Sequence, residues 1–297
     1  MKIGCVSMTW NQFRLQNPDD WPQERIWREV KEAGYEGVTA WPKDGQSPQE
    51  LLETLADFGL VPAPGYFGAE FWKPEERESQ IEKARQMART SRELGLSELF
   101  VSPSGWRYVS RENGLERNQL AGRVGPNDGL TDGEWRELAV TLNAVGAATL
   151  EEGVRICVHN HAAQVVETGA ECDRFFASID PNLVFWGPDT GHLVYGGVEP
   201  TAFFEKYAPQ IRALHLKDVV SSVLDDAIAQ KWDYATAAAH GLWIELGQGC
   251  IDFPSLFATL KNANYDGWVL SEIDITQKPS PLQSARECRE FLSSLGL

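Results

Sequence analysis

The chain has 297 residues, of which 42% are hydrophobic and 24% are charged, as in an ordinary globular protein with a sizeable core. Its formal net charge of −16 disfavours nucleic acid and anionic membrane surfaces as partners. No apolar run reaches the roughly 20 residues of a membrane span, and no signal peptide pattern opens the chain, so we expect a cytoplasmic protein.

The first half of the chain alternates apolar runs with helical patterns. KIGCVS, from Lys2, is followed by a polar loop through Asp20 and then by a helix in WPQERIWREVKEAGYEG. GVTAW precedes a helix with Ser47 as its N-cap and Gly59 at its end. VPAPGYF and SELFVSPSGW are the third and fourth strand runs, and a charged amphipathic helix from Glu75 to Leu94 separates them.

A segment from Trp106 to Gly129 interrupts this alternation. It is rich in Gly, Asn and Arg and has no clear period, and a compact domain usually employs so long a loop functionally. Its arginines are equally compatible with substrate contact and with pairing to the acidic surface. Thr131 and Glu134 then form a capping box that predicts the start of the next helix.

The second half continues with four more strand runs, VRICVHNH, LVFWGPD, IRALHLKD and YDGWVLSEID. Eight strand runs that alternate with eight helical stretches predict an α/β fold, a (β/α)8 TIM barrel that forms a single domain over residues 1–297. An insertion at 219–246 follows the seventh run. Because loops after strands lie on the active face of such barrels, we expect the insertion near the barrel mouth.

Side chains that bind metals or move protons collect at the ends of the last four strand runs. They are His159, His161, Asp189, His192, His215, Lys217, Glu272 and Asp274. Each has a structural interpretation: Asp189 caps the next turn, His215 is a core histidine, and Lys217 pairs with Asp274. Together they place four of the five histidines of the chain at one barrel face, which favours a metal site.

The segments PDTGHLVYGG, HLKDV, GQGCIDF and YDGWVLSEID resemble those of the xylose isomerase-like barrels, and most of all those of inosose dehydratases. The resemblance implies one divalent metal, bound by a carboxylate on the fifth strand and by Asp189, His215 and Glu272. The fifth strand departs from the family pattern because it reads VHNH. The fourth ligand is therefore open among Glu167, His159 and His161, and Glu167 is equally well explained as a charge at a helix N-terminus.

The metal implied by the resemblance is Mn²⁺ or Co²⁺ by preference, with Mg²⁺ and Zn²⁺ as further candidates, since carboxylates and an imidazole suit such ions. It would hold a polyol ketone and stabilise the enediolate formed when a base removes the proton alpha to the carbonyl. Loss of a beta hydroxyl then gives dehydration, which we predict for a substrate such as an inosose. Reprotonation gives the alternative, keto-sugar isomerisation or 3-epimerisation.

The candidate acid and base are His161 and Lys217, and His192 or Glu167 could replace either. A cation beside Lys217 is expected to lower its pKa. The partner is a small-molecule polyol or keto sugar, the oligomeric state stays open, and a homo-oligomer is compatible with the sequence. A nuclease on the same fold is disfavoured by the net charge, and a barrel that only binds a ligand is a further alternative.

Overall fold

The computed structural model describes residues 1–297, and all eight predicted strand runs form strands of a parallel barrel. The strands are β1 (Lys2–Cys5), β2 (Gly37–Thr39), β3 (Val61–Ala63), β4 (Tyr66–Ala69), β5 (Glu98–Pro103), β6 (Arg155–Val158), β7 (Val184–Trp186), β8 (Ala213–Leu216), β9 (Asp218–Val219), β10 (Trp243–Ile244) and β11 (Trp268–Ser271). Hydrogen-bonded neighbours follow the orders β3-β2-β1-β11-β8 and β4-β5-β6-β7. The predicted barrel fold is confirmed.

The barrel closes at two places where the ladder is incomplete. The third run divides into β3 and β4 at Pro64 and Gly65, because proline has no N–H to donate to a ladder. At the other place β7 and β8 are joined only by isolated parallel bridges, one between Trp186 and Ile211 and one between Asp189 and His215. The second bridge sets two predicted site residues directly beside each other.

Helices surround the barrel. They are α1 (Met8–Gln16), α2 (Gln23–Glu32), α3 (Pro48–Asp57), α4 (Arg77–Glu93), α5 (Arg117–Leu120), α6 (Asp132–Glu151), α7 (Gly169–Ser178), α8 (Thr190–Tyr195), α9 (Pro200–Tyr207), α10 (Ser221–Gln230), α11 (Tyr234–Ala239), α12 (Phe253–Asn262) and α13 (Pro281–Ser294). Ser47 with Glu50, and Thr131 with Glu134, form capping boxes at the starts of α3 and α6, where the caps were predicted. None of these helices is both long and apolar enough to span a membrane.

The polar loop predicted after β1 is instead the helix α1, followed by a 3-10 turn at Pro18–Asp20. Contacts that are distant in sequence hold this helix. The Thr9 hydroxyl donates a hydrogen bond to the carbonyl of Ile273 at 2.8 Å, and Trp10 Nε1 donates to Glu29 Oε2 at 2.8 Å. Short helices depend on such packing more than on their own periodicity, so the sequence pattern did not reveal it.

The insertion after β8 contains α10 and α11, and an antiparallel pair of short strands, β9 and β10, closes its base. Val219 pairs with Trp243 and Asp218 with Ile244 in this two-stranded sheet. The fixed base directs α11 over the C-terminal end of the barrel, where Tyr234 lines a cavity.

Candidate metal centre

A cavity of about 430 Å³ lies at the C-terminal end of the barrel. Its polar lining follows β6, β7, β8 and β11, and comprises His159, His161, His192, His215, Glu272 and Asp274. Its other lining residues are Val6, Met8, Thr39, Pro64, Tyr66, Trp106 and Tyr234. A larger hollow of about 620 Å³ opens at the opposite end of the barrel, but no histidine lines it. The chemistry therefore belongs to the smaller cavity.

Three buried side chains in this region form a compact group of ligand atoms. One atom each from His159, Asp189 and His215 lies within 4.8 Å of the other two. The backbone accounts for their approach. The N–H of His159 donates to Val101 on the neighbouring strand at 2.9 Å, and the N–H of Asp189 donates to Asn160 Oδ1 at 2.9 Å.

The hydrogen bonding of this group fits a cation. One oxygen of Asp189 accepts from the N–H of His192 at 2.9 Å, so Asp189 does cap α8, but its Oδ2 has no hydrogen-bond partner. Nδ1 of His159 also lacks a partner, whereas Nδ1 of His215 has the Glu272 carboxylate as its neighbour. Because buried polar atoms are usually paired, Asp189 Oδ2 and His159 Nδ1 are open to a ligand at these neighbouring strand ends.

Glu272 adjoins this group. Its Oε2 lies 2.7 Å from Nδ1 of His215 and 3.8 Å from Nζ of Lys217. Burial raises the pKa of Glu272, but Lys217 and His215 outweigh burial and hold this pKa well below its ordinary value. Burial raises the pKa of Asp189 to about 6, although Lys217 opposes this. The Glu272 carboxylate is therefore an ionised neighbour of the group.

The structure does not bring Glu167 to this group. Its two carboxylate oxygens accept hydrogen bonds from the N–H groups of Gly122 and Ala163, each at 2.7 Å, and Arg117 lies 3.5 Å away. Glu167 and Arg117 are both fully buried. The Glu167 carboxylate therefore joins the 106–129 segment to the loop after β6, and it is not part of the group formed by His159, Asp189 and His215.

His161 and His192 stack on each other, with ring centroids 3.6 Å apart and an interplanar angle of 29°. Nδ1 of His161 faces the carbonyl oxygen of Ala162 at 2.5 Å, so this nitrogen carries the proton and Nε2 keeps its lone pair. Burial lowers the pKa of His161 to about 4, and burial also lowers the pKa of His192. Both imidazoles are therefore neutral near neutral pH.

Lys217 is fully buried between carboxylates. Its Nζ donates to Asp274 Oδ1 at 2.7 Å, lies 3.7 Å from Asp189 Oδ2, and lies 3.2 Å from His192 Nε2. Burial would lower the pKa of Lys217, but Asp274, Glu272 and Asp189 raise it well above its ordinary value. These carboxylates therefore oppose the decrease in the pKa of Lys217 that a nearby cation is expected to cause. The DTGH glycine, Gly191, permits the packing, since a Cβ there would lie 2.9 Å from Cβ of Lys217.

Sequence reasoning missed Tyr234. Its hydroxyl donates to Asp274 Oδ2 at 2.5 Å, and its ring lies 4.9 Å from that of Trp106 between centroids. Tyr234 stands in the insertion, which has no strand pattern to show where its side chains point. The only available signal was the position of the insertion directly after the seventh strand run.

Residues 27–295 match the model of the xylose isomerase-like TIM barrel family, and the chain belongs to this family. Among its relatives is the inosose dehydratase of Geobacillus kaustophilus strain HTA426, which is 30% identical and matches over 99% of this chain and 94% of its own length. The predicted family and the prediction of an enzyme are confirmed by this similarity.

Solved structures share the fold at lower identity. An L-ribulose 3-epimerase superposes with a TM-score of 0.68 at 18% identity, over 99% of this chain and 94% of its own. The IolI protein with a bound zinc atom superposes with a TM-score of 0.69 at 14% identity, over 99% and 98% of the two chains. Similarity at this level establishes the shared barrel.

Proposed function

We propose that the chain is a divalent-metal-dependent dehydratase of a polyol ketone such as an inosose. The observation that carries this proposal is the grouping of His159, Asp189 and His215 against a cavity that His159, His161 and His215 line, with unpaired buried atoms on His159 and Asp189. The neutral His161 and the ammonium of Lys217 lie beside this group. The full-length similarity to an inosose dehydratase supports the same reaction.

The residues that would hold the metal are His159, Asp189, His215 and Glu272. His159 is thus the proposed fourth ligand, which the sequence left open among Glu167, His159 and His161. Two imidazoles and two carboxylates suit Mn²⁺, Co²⁺ or Zn²⁺ better than Mg²⁺, which prefers oxygen ligands alone. When bound, such a metal polarises the substrate carbonyl and stabilises negative charge on its oxygen.

His161 is the base in this proposal. Its Nδ1–H faces Ala162, so its Nε2 lone pair is free to take the proton from the carbon alpha to the ketone. His192 is less suitable, because its Nε2 already lies 3.2 Å from Nζ of Lys217. These contacts give the two stacked histidines different roles.

Lys217 is the acid. The Asp274 carboxylate at 2.7 Å keeps its amine as an ammonium ion, which can give a proton to the leaving beta hydroxyl. The bond between the beta carbon and oxygen breaks, water leaves, and a double bond forms beside the carbonyl. His161 gains one proton and Lys217 loses one in each turnover. His161 then releases its proton to solvent and Lys217 takes one from solvent, so that both residues return to their starting states.

The direct test incubates Mn²⁺-loaded protein with scyllo-inosose. We expect new ultraviolet absorbance from the conjugated product, and no absorbance change with protein stripped of metal by a chelator. The same sample in heavy water reports exchange of the alpha proton. Exchange without new absorbance would assign the site to an isomerase or epimerase, and neither signal across several inososes and keto sugars would refute the proposal.

A further inference from the structure

The insertion contributes one side chain to the charged part of the cavity. Tyr234 begins α11, whose start is fixed by Asp233, since this carboxylate accepts a hydrogen bond from the N–H of Thr236 at 2.8 Å. Only 8% of Tyr234 is exposed. Its hydroxyl donates to one oxygen of Asp274 at 2.5 Å, and Lys217 donates to the other oxygen at 2.7 Å.

We propose that Tyr234 is a positioning residue for Lys217 and acts through Asp274. The proposal rests on the proposed function, in which Lys217 is the proton donor. Because each oxygen of Asp274 accepts one hydrogen bond, the carboxylate has a fixed orientation. Lys217 is then held at Oδ1, and Tyr234 at Oδ2.

Lys217 needs such a restraint because other carboxylates compete for it. Asp189 Oδ2 lies 3.7 Å and Glu272 Oε2 lies 3.8 Å from its Nζ, against 2.7 Å for Asp274. Without the Tyr234 hydroxyl, the Asp274 carboxylate can rotate and release Lys217 towards the other two. The ammonium would then leave the position from which it can reach a leaving group, and small displacements of a reacting group lower rates strongly.

Aromatic packing holds the Tyr234 ring, and with it the direction of the hydroxyl. Ring centroids of Trp106, His161 and Tyr195 lie 4.9, 5.5 and 5.9 Å from that of Tyr234. The restraint on Lys217 is therefore built from the insertion together with Trp106, and both Tyr234 and Trp106 line the cavity.

Tyr195 offers a matched control within the same stack. It is buried like Tyr234, and the two rings are nearly parallel at 23°, but the Tyr195 hydroxyl has no hydrogen-bond partner. Replacing either tyrosine by phenylalanine removes one buried hydroxyl from the same aromatic surroundings. Only the Tyr234 hydroxyl touches Asp274.

The experiment compares wild type, Tyr234→Phe and Tyr195→Phe, each loaded with Mn²⁺. Crystal structures without substrate report the distance between Lys217 Nζ and Asp274, and kinetics with the ketone report kcat and KM. For Tyr234→Phe we expect Lys217 displaced towards Asp189, unchanged metal content, a KM within about threefold, and a kcat lower by about tenfold to a hundredfold. Tyr195→Phe should match wild type in every measurement.

A Tyr234→Phe structure with Lys217 still on Asp274, or an equal loss of kcat in Tyr195→Phe, would overturn the proposal. The Asp274→Asn variant gives a second route, since adding Tyr234→Phe to it should cause no further loss of kcat if Tyr234 acts through Asp274. A further loss of kcat in the double variant would show that Tyr234 does not act through Asp274. The displacement of Lys217 is measured without substrate, so this inference can be tested even if no inosose is turned over and the proposed function fails.

Discussion

The two halves of the barrel contribute different chemistry to one cavity. Residues at the ends of β6, β7, β8 and β11 or just after them supply every imidazole and carboxylate in its lining. By contrast, Val6, Thr39 and Pro64 come from the ends of β1, β2 and β3, and Tyr66 begins β4. The charged half also contains the incomplete joint where Asp189 faces His215. The second half therefore supplies the ionisable groups of the cavity, and the first half contributes mainly to its wall.

The largest effects are expected from substitutions of the proposed metal ligands in the charged half of the barrel. Asp189→Asn and Glu272→Gln should each lower metal content and reduce kcat by about 10³- to 10⁴-fold, because a bound metal is worth several kcal/mol to the transition state. Metal content is measured by atomic emission on protein dialysed against buffer, and kcat is measured with the ketone. Full metal content and full rate in Glu272→Gln would contradict its assignment as a ligand.

A second change separates proton transfer from metal binding within the same half. Lys217→Met should lower kcat by about 10²- to 10³-fold, the usual contribution of a general acid, while metal content is not reduced. The control is Lys261→Met, because Lys261 is an exposed lysine on α12 that does not line the cavity. If Lys217→Met retains the wild-type kcat, Lys217 is only the structural ion-pair partner of Asp274.

Substitution of an aromatic residue in the cavity wall should change KM more than kcat. Trp106 follows β5, is 37% exposed and lines the cavity, so Trp106→Ala should raise KM about tenfold with a smaller effect on kcat. The control is Trp41→Ala, because Trp41 is 36% exposed after β2 but is not among the lining residues. Equal effects of the two changes would remove the specific role of Trp106.

The smallest expected effect on the metal concerns Glu167. Glu167→Gln should keep full metal content, because this carboxylate binds backbone N–H groups away from the ligand cluster, but it should lower the free energy of unfolding by about 1–3 kcal/mol. Thermal unfolding measures the stability. His159→Ala is the comparison and should lose metal, and the reverse pattern would restore Glu167 as the ligand.

The sequence predicts the barrel well because each parallel strand is buried on both faces and appears as an apolar run. It also predicts that Asp189, His215 and Glu272 lie near one another, because residues at the ends of neighbouring parallel strands meet at the same end of a barrel. Contacts made by loops are different. Glu167 accepts a hydrogen bond from Gly122, 45 residues away, and Tyr234 donates one to Asp274, 40 residues away. Patterns of neighbouring residues in the sequence do not predict contacts over such separations.

We propose that one divalent metal is held by His159, Asp189, His215 and Glu272. Anomalous scattering from crystals of the protein loaded with Mn²⁺ locates the metal and shows which side chains bind it. We predict a single strong peak within coordination distance of these four side chains, with Glu167 still bonded to Gly122 and Ala163. A peak coordinated by the Glu167 carboxylate, or no peak in this cavity, would contradict the account.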